Sequence, residues 1–208
     1  KSTFLNMLLG TVQPSRGEIL LDGKPIPDEP GADRGIVFQQ YSVFPHMTVL
    51  DNVMTGRIRQ MSSGLIAQAI WRGKAEREEI ENREFVEKII DFLEIQAIRK
   101  TPVGRLPYGL KKRVELARAL AAEPSLLLLD EPMAGMNVEE KEDMCRFILD
   151  VNDEFGTTIV LIEHDMGVVM DISDRVVVMD YGRKIGDGPP DEVRRNQDVI
   201  DAYLGVPH

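Results

Sequence analysis

The sequence is short of cysteine and has no long apolar run. Its one cysteine, Cys145, cannot form a disulfide within the chain, which agrees with a reducing compartment and a structural thiol. No run approaches the roughly 18 consecutive apolar residues that a membrane-spanning helix needs, and the first residues do not have the layout of a signal peptide. If the protein serves a membrane, we expect other chains to cross it.

An excess of positive charge is also missing. The formal net charge at pH 7 is −10, from 35 acidic and 25 basic residues. A protein that binds long DNA or RNA needs a broad basic surface to neutralise phosphates, so we expect no nucleic acid as a partner. With 208 residues, of which 43% are apolar, the chain can bury the core of one large domain or of one domain with a sizeable insertion.

The hydrophobic pattern predicts an α/β fold with a parallel sheet. Nearly continuous apolar runs are typical of parallel strands that are buried on both faces, and here they alternate with helical patterns. The predicted strands are 125–129, 158–162 and 175–179, the helices between them are about 138–155 and 165–172, and a helical tail at 191–204 follows a short strand near Lys184.

The first 120 residues predict two further parts. A helix at 2–9 stops at Gly10, and a short strand at 18–21 ends in the hairpin signal Asp22-Gly23, with another strand at 35–38. From 40 to 120 the pattern is helical and more polar. We therefore predict a core made of 1–39 and 121–208, a small antiparallel β subdomain near its start, and a helical insertion at 40–120.

Lys1-Ser2-Thr3 opens the first predicted helix. It matches the last residues of the phosphate-binding loop G-x-x-x-x-G-K-[ST], whose glycines would lie before residue 1. A helix N-terminus favours bound phosphate, so Lys1 would neutralise the β- and γ-phosphates and the hydroxyl of Ser2 would be a ligand of Mg²⁺. By itself the tripeptide is better explained as an ordinary exposed start, and its weight comes from the motifs downstream.

Polar residues follow two predicted strands directly. Asp130 and Glu131 come after four leucines, at the carboxyl end of a buried strand, where ligands collect in open α/β sheets. His164 follows the next apolar strand, so we expect it beside Glu131 at the same edge. There Asp130 would hold Mg²⁺, Glu131 would polarise the attacking water, and His164 would bond the γ-phosphate and the water. The alternative is a set of solvated carboxylates and a surface histidine.

Gln39 ends the strand at 35–38, at the mouth of the predicted insertion. Its side-chain carbonyl could reach Mg²⁺ there, while its backbone would move with the insertion. Gln40 is the competing candidate, and a solvated glutamine is the alternative explanation. We predict that Gln39 is the site residue.

These segments, in this order, resemble the ATP-binding cassette (ABC) ATPases over essentially the whole chain. The matching segments are Lys1-Ser2-Thr3 for the end of Walker A, Gln39 for the Q-loop, Leu106, Pro107, Tyr108, Gly109 and Leu110 for the signature, 126–132 for Walker B, 134–137 with Gly135 and Asn137 for the D-loop, and His164 for the switch histidine. The resemblance implies a P-loop NTPase fold, ATP and Mg²⁺ as cofactors, and ATP contacts from Thr3, the signature and the D-loop. It also implies a head-to-tail dimer in which each signature covers the partner's ATP.

Within that superfamily the chain is similar to the ATPase subunits of branched-chain amino acid importers. The similarity rests on 106–115, 133–137, 162–166 and 199–205. It implies a subunit at the cytoplasmic face of the inner (plasma) membrane that powers separate transmembrane permease subunits. An ABC ATPase for another small polar solute stays open. A DNA-maintenance or ribosome-associated ATPase would need coiled-coil heptads or a duplicated cassette with basic arms, and the sequence has neither.

The signature departs from the family's Leu-Ser-Gly-Gly-Gln. Pro107 replaces the serine and has neither a hydroxyl nor an N–H, while Tyr108 replaces the first glycine and Leu110 the glutamine. In the D-loop, Asn137 replaces the usual aspartate. A dimer of identical chains stays open, but we favour a different partner ATPase. The site that uses Glu131 would then hydrolyse ATP, and the site facing Pro107 would mostly hold nucleotide.

The glycine-rich half of Walker A and the aromatic residue that stacks on adenine in this family are not in the sequence. We expect both to precede residue 1 in the native protein. The 208-residue chain by itself is then expected to bind ATP poorly or not at all. A nucleotide-free regulatory module would be favoured only if the chain began here naturally.

Overall fold

The computed structural model describes residues 2–31, 33–40, 42–60 and 74–204. These residues form two compact units. The first unit is Ser2–Leu161, and the second unit is the described chain from Ile162 to Leu204.

A parallel sheet is the centre of the first unit. Its strands are β3 (Arg34–Val37), β4 (Leu126–Asp130) and β5 (Thr158–Ile162), in the order β3-β4-β5, and β5 ends on the first residue of the second unit. β3 and β4 pair in parallel, from Arg34 opposite Leu126 to Val37 opposite Leu129. The four leucines of β4 are all buried, as expected for a parallel strand covered on both faces. The predicted α/β fold is confirmed.

A small antiparallel hairpin precedes this sheet, formed by β1 (Leu20–Leu21) and β2 (Lys24–Pro25). Asp22 and Gly23 form the predicted turn, with φ of 51° and 74°, because a two-residue hairpin of this hand needs positive φ at both positions. The second strand was not predicted, since its proline argues against a strand.

In the described part of the first unit the helices are α1 (Ser2–Leu9), α2 (Val49–Met54), α3 (Lys74–Phe92), α4 (Tyr108–Leu120) and α5 (Val138–Phe155). Short 3₁₀ turns lie at Thr55–Arg57, Gln96–Ile98 and Val103–Arg105. The described part of 40–120 is thus largely helical. The predicted apolar face of α3 is buried: Val86, Ile89, Ile90 and the following Leu93 are at most 1% exposed.

The second unit contains α6 (Met166–Ile172), β6 (Val176–Asp180), β7 (Arg183–Gly188), α7 (Pro190–Val193) and α8 (Gln197–Leu204). Its apolar core includes Met170, Val176, Val193 and Val199. In the residues that the structure describes, no helix has both the length and the apolar character needed to cross a bilayer.

Two sequence predictions for the second unit were wrong in detail. The strand predicted as parallel at 175–179 pairs antiparallel with β7, because Tyr181 and Gly182, with φ of 41° and 82°, turn the chain straight back onto β6. The tail predicted as one helix at 191–204 is two helices, α7 and α8.

Candidate active site

β4 ends in two carboxylates at a tight turn. Asp130 is the last residue of the strand, and Glu131 follows with a φ of 46°, a left-handed conformation that costs a non-glycine residue about 1–3 kcal/mol. The turn continues with Ala134, whose N–H donates to the carbonyl of Glu131 over 3.2 Å, and with Gly135 at a φ of 76°. A strained carboxylate at a strand end is typical of functional sites.

The structure brings Gln39 and Glu131 together. Nε2 of Gln39 donates a hydrogen bond to Oε2 of Glu131 over 3.0 Å. The strand register explains this contact, because Val37 lies opposite Leu129 and each site residue comes two positions later. The parallel pairing therefore carries an amide and a carboxylate to one edge of the sheet. A carboxylate held in this way can accept a proton from a water molecule while the amide fixes its orientation.

Residues 107–110 form the N-cap and first turn of α4, and Leu106 comes directly before them. Pro107 occupies the N-cap position with φ of −56° and ψ of 160°, and its side chain makes no cap hydrogen bond, since proline has no side-chain acceptor. Leu106 is buried, while Tyr108 and Leu110 are partly exposed. The first N–H groups of α4 therefore receive no side-chain oxygen from the cap residue, and a helix N-terminus of this kind favours an anionic ligand.

Gly109 lies against the first turn of α5. A Cβ at Gly109 would lie 2.4 Å from Oε1 of Glu140, so any larger residue would displace that carboxylate. Glu140 belongs to a capping box: its N–H donates to the side chain of Asn137 over 2.9 Å, and its Oε2 accepts from the N–H of Asn137 over 3.1 Å. The segments predicted as signature and D-loop are therefore neighbours within the first unit.

The capping box gives Asn137 a structural role that can be measured. We expect Asn137→Ala to lower the free energy of unfolding by about 1 kcal/mol, because the N–H of Glu140 at the start of α5 loses its side-chain acceptor. Asn137→Asp is the matched control and should retain the stability, since aspartate caps a helix as well as asparagine does. Urea unfolding of the full-length protein measures both. An equal loss in the two variants would contradict this role.

The remaining predicted residues are His164, in the second unit, and the residues at the start of α1. His164 belongs to the second unit and its side chain is 64% exposed; its N–H donates to Oε2 of Glu163 over 3.1 Å. Glu131 belongs to the first unit, so its predicted proximity to His164 stays a prediction. Ser2 and Thr3 begin α1, and Thr3 is exposed, whereas Lys1 lies outside the described residues.

The site residues have the donor chemistry that Mg²⁺ takes together with a nucleotide. In the parts of the chain that the structure describes, no group of three or more His, Cys, Asp or Glu side chains could hold a metal ion. Mg²⁺ bound with a nucleotide needs fewer protein ligands, because phosphate oxygens and water fill most of its octahedron. A hydroxyl from Ser2, an amide oxygen from Gln39 and a carboxylate from Asp130 would suit that role.

Sequence reasoning missed a buried ion pair next to Gln39. Nζ of Lys112 donates to the carbonyl of Phe38 and, over 2.8 Å, to Oε2 of Glu115; the two charged side chains are 0% and 1% exposed. Oε1 of Glu115 accepts from the N–H and the hydroxyl of Ser42. Arg118 donates to the carbonyl and hydroxyl oxygens of Ser42 over 2.7 and 2.6 Å.

These three charged residues are spaced three apart on one face of α4, and that spacing was the available signal. Burial lowers the pKa of the Arg118 guanidinium, and the charge of Glu115 opposes this shift. We call Lys112, Glu115 and Arg118 the α4 polar row.

Comparison with known proteins finds two matching families and close relatives. The family described as ABC transporter matches residues 1–134, and the family described as branched-chain amino acid ATP-binding cassette transporter matches residues 183–208. The chain is 37% identical to the high-affinity branched-chain amino acid transport ATP-binding protein BraF of Pseudomonas aeruginosa. It is 35% identical to the corresponding protein LivG of Escherichia coli. Both alignments cover 99% of this chain and 82% of the relative.

A solved structure shows the same fold. The ADP conformation of MJ1267, an ATP-binding cassette of an ABC transporter, superposes with a TM-score of 0.81 at 28% identity, over 99% of this chain and 83% of that chain. Its likeness confirms the predicted P-loop NTPase fold. Because the family match covers well over half of the sequence and the relatives span nearly all of it, this chain belongs to the ABC transporter family and is an ATPase that binds nucleotide.

Proposed function

We propose that this chain is the ATP-hydrolysing subunit of an importer for branched-chain or related amino acids. The observation that carries the hydrolytic part is the hydrogen bond from Gln39 to Glu131 at the carboxyl edge of the parallel sheet. The amino-acid part is supported by similarity to BraF and LivG, which are named for branched-chain amino acid transport.

In the proposed reaction Glu131 acts on the attacking water. Its carboxylate polarises the water, and the hydrogen bond from Gln39 keeps that carboxylate in one orientation. His164 would bond the γ-phosphate and the water once ATP is bound. Mg²⁺, held by Ser2, Gln39 and Asp130, would neutralise the charge that develops on the phosphates.

Gln39 can also transmit a conformational change from the nucleotide site to the rest of the assembly. It lies two residues after β3, in the segment that leads to α2, so its position depends on both. A change in its contact with Glu131 would move the start of that segment. We propose that this is how hydrolysis is passed to transmembrane permease subunits, with the chain at the cytoplasmic face of the inner (plasma) membrane.

The partner ATPase is proposed to be a different chain. The start of α4 offers Pro107 where the family has a serine, so it lacks one hydroxyl and one N–H for the partner's ATP. The helix N-terminus and Gly109 remain as donors. The ATP that faces Pro107 would then be held more than hydrolysed, while the ATP at Glu131 is cleaved.

Uptake measurements test the choice of solute. We expect membrane vesicles from cells that lack this protein to lose ATP-driven uptake of radiolabelled leucine, isoleucine and valine, and the full-length protein to restore it. Uptake of a sugar serves as the control and should be unchanged. Unaltered uptake of all three amino acids, together with loss of another small polar solute, would replace this proposal by its alternative.

A further inference from the structure

The α4 polar row binds the chain segment that carries Gln39. Lys112 donates to the carbonyl of Phe38, which belongs to the same peptide group as the nitrogen of Gln39. Glu115 accepts two hydrogen bonds from Ser42, on the other side of Gln39 in the sequence. The backbone is thus fixed one residue before Gln39 and three residues after it.

Stability alone is a weak reason for such a pair. Taking a lysine and a glutamate out of water is costly, and replacing a buried ion pair by uncharged groups of similar volume is often neutral or stabilising. Among the residues that the structure describes, the hydrogen bonds of the pair that leave α4 reach Phe38 and Ser42. These bonds indicate that the ion pair serves to hold Phe38 and Ser42 in position.

The same helix begins at the signature-like segment. α4 starts at Tyr108, one turn before Lys112, and Nζ of Lys112 lies 5.9 Å from the centroid of the Tyr108 ring. If the start of α4 moved, the side chain of Lys112 would transmit that movement to the carbonyl of Phe38.

We propose that Lys112 and Glu115 are positioning residues for ATP hydrolysis, which hold Gln39 against Glu131 and make that contact depend on the position of the start of α4. This inference rests on the proposed function, because it assigns the pair to the reaction at Glu131. Neither residue is expected to touch ATP.

The test uses Lys112→Met/Glu115→Gln in the full-length protein in its native assembly. Both charges are removed together, and the glutamine can still accept from Ser42, so the fold should persist. We expect kcat for ATP hydrolysis to fall by roughly 10- to 100-fold, because small misplacement of a catalytic constellation has effects of that order, while KM for ATP stays within about twofold. An unchanged kcat would overturn the proposal.

A combination with Gln39→Ala separates positioning from general damage. If the pair acts through Gln39, adding Lys112→Met/Glu115→Gln to Gln39→Ala should cost little further kcat. If the fold losses in kcat from Gln39→Ala and from Lys112→Met/Glu115→Gln multiplied in the combined variant, the proposal would be overturned. If the double substitution fails to fold, Ser42→Ala, at an exposed residue, replaces it. Adding Ser42→Ala to Gln39→Ala should then also cost little further kcat.

The matched control is the ion pair of Arg113 with Asp143, which also begins on α4 but reaches α5. Arg113→Met/Asp143→Asn should leave kcat within about twofold, because this pair joins α4 to α5 and not to Phe38 or Ser42. An equal loss of kcat there would mean that any ion pair on α4 matters, and would overturn the specific role.

Glu131→Gln distinguishes failure of this inference from failure of the proposed function. If Glu131→Gln abolishes turnover but Lys112→Met/Glu115→Gln does not lower it, only this inference fails. If Glu131→Gln leaves turnover intact, the proposed function fails.

Discussion

Replacing Glu131 by glutamine is expected to lower ATP turnover by roughly 10²- to 10⁴-fold, the range that a positioned general base contributes. Glutamine has nearly the shape of glutamate, and its carbonyl oxygen can still accept the hydrogen bond from Gln39. It cannot take a proton from water, so the loss should fall on kcat rather than on ATP binding. Steady-state turnover and retention of radiolabelled ATP by the assembled full-length protein measure the two effects separately.

Glu139→Gln is the control for this variant. Glu139 is an exposed carboxylate in the first turn of α5, close in sequence to Glu131 but outside the strand-end turn. Its turnover should stay within about twofold of the parent protein, since Glu139 lies outside the strand-end turn where the proposed general base is placed. A Glu131→Gln assembly that turns over ATP at the parent rate would contradict the role of Glu131.

The same variant reports on the second ATP site. If the site facing Pro107 only holds nucleotide, Glu131→Gln should remove nearly all turnover of the assembly. A residual rate near half of the parent rate would mean that both sites hydrolyse ATP. In that case the proposed inequality of the two sites would be wrong, although the role of Glu131 would stand.

The second large effect is expected on stability, from Lys112→Met alone. Glu115, whose side chain is 1% exposed, would lose the cation that neutralises it. Breaking one side of a buried ion pair typically costs about 3–5 kcal/mol, because an uncompensated charge is left in the interior. Lys112→Met/Glu115→Gln should recover most of this loss. The free energy of unfolding of the full-length protein, from denaturant titration, measures both variants.

Arg146→Met is the comparison variant, because it shows how much free energy of unfolding is lost when an exposed ion pair is broken. Arg146 lies 3.2 Å from Glu94 and both side chains are about half exposed, so its loss should cost about 1 kcal/mol or less. If Lys112→Met cost no more than Arg146→Met, Glu115 would not depend on Lys112 for its charge balance. If the double variant were as unstable as the single one, packing rather than charge would explain the loss.

The edge of the sheet that holds Gln39 and Glu131 could be predicted from the sequence for a simple physical reason. Parallel strands buried on both faces leave continuous apolar runs, and the first polar residues after such runs lie at one edge. Counting from the ends of the strands at 35–38 and 125–129 therefore named both residues. The structure adds their hydrogen bond, which depends on the register of β3 against β4.

The polar contacts behind that edge could not be predicted in the same way. Lys112 lies in the run Lys111-Lys112-Arg113, which has the composition of a solvated helix surface, yet its side chain is fully buried. Its Nζ bonds the carbonyl of Phe38, 74 residues earlier in the chain. Periodicity within one helix identifies the faces of that helix, but it does not say which distant segment covers each face.

Turn geometry explains how the two hairpins differ from the sequence predictions. Two-residue turns at Asp22-Gly23 and Tyr181-Gly182 return the chain at once, which pairs β1 with β2 and β6 with β7. The apolar run of β6 resembles a parallel strand, because a run of valines has no feature that distinguishes the two kinds of pairing. The turn that follows such a run is the better indicator of its partner.

The most direct test of the central claim is a structure of the full-length Glu131→Gln protein with Mg²⁺ and ATP in its native assembly. The substitution should retain ATP long enough for it to be seen. We predict that residue 131 and His164 both lie within hydrogen-bonding reach, about 2.6–3.2 Å directly or through one water, of the γ-phosphate or its attacking water, with Gln39 beside them. A γ-phosphate bound away from the carboxyl end of β4, or His164 turned away from it, would contradict the account.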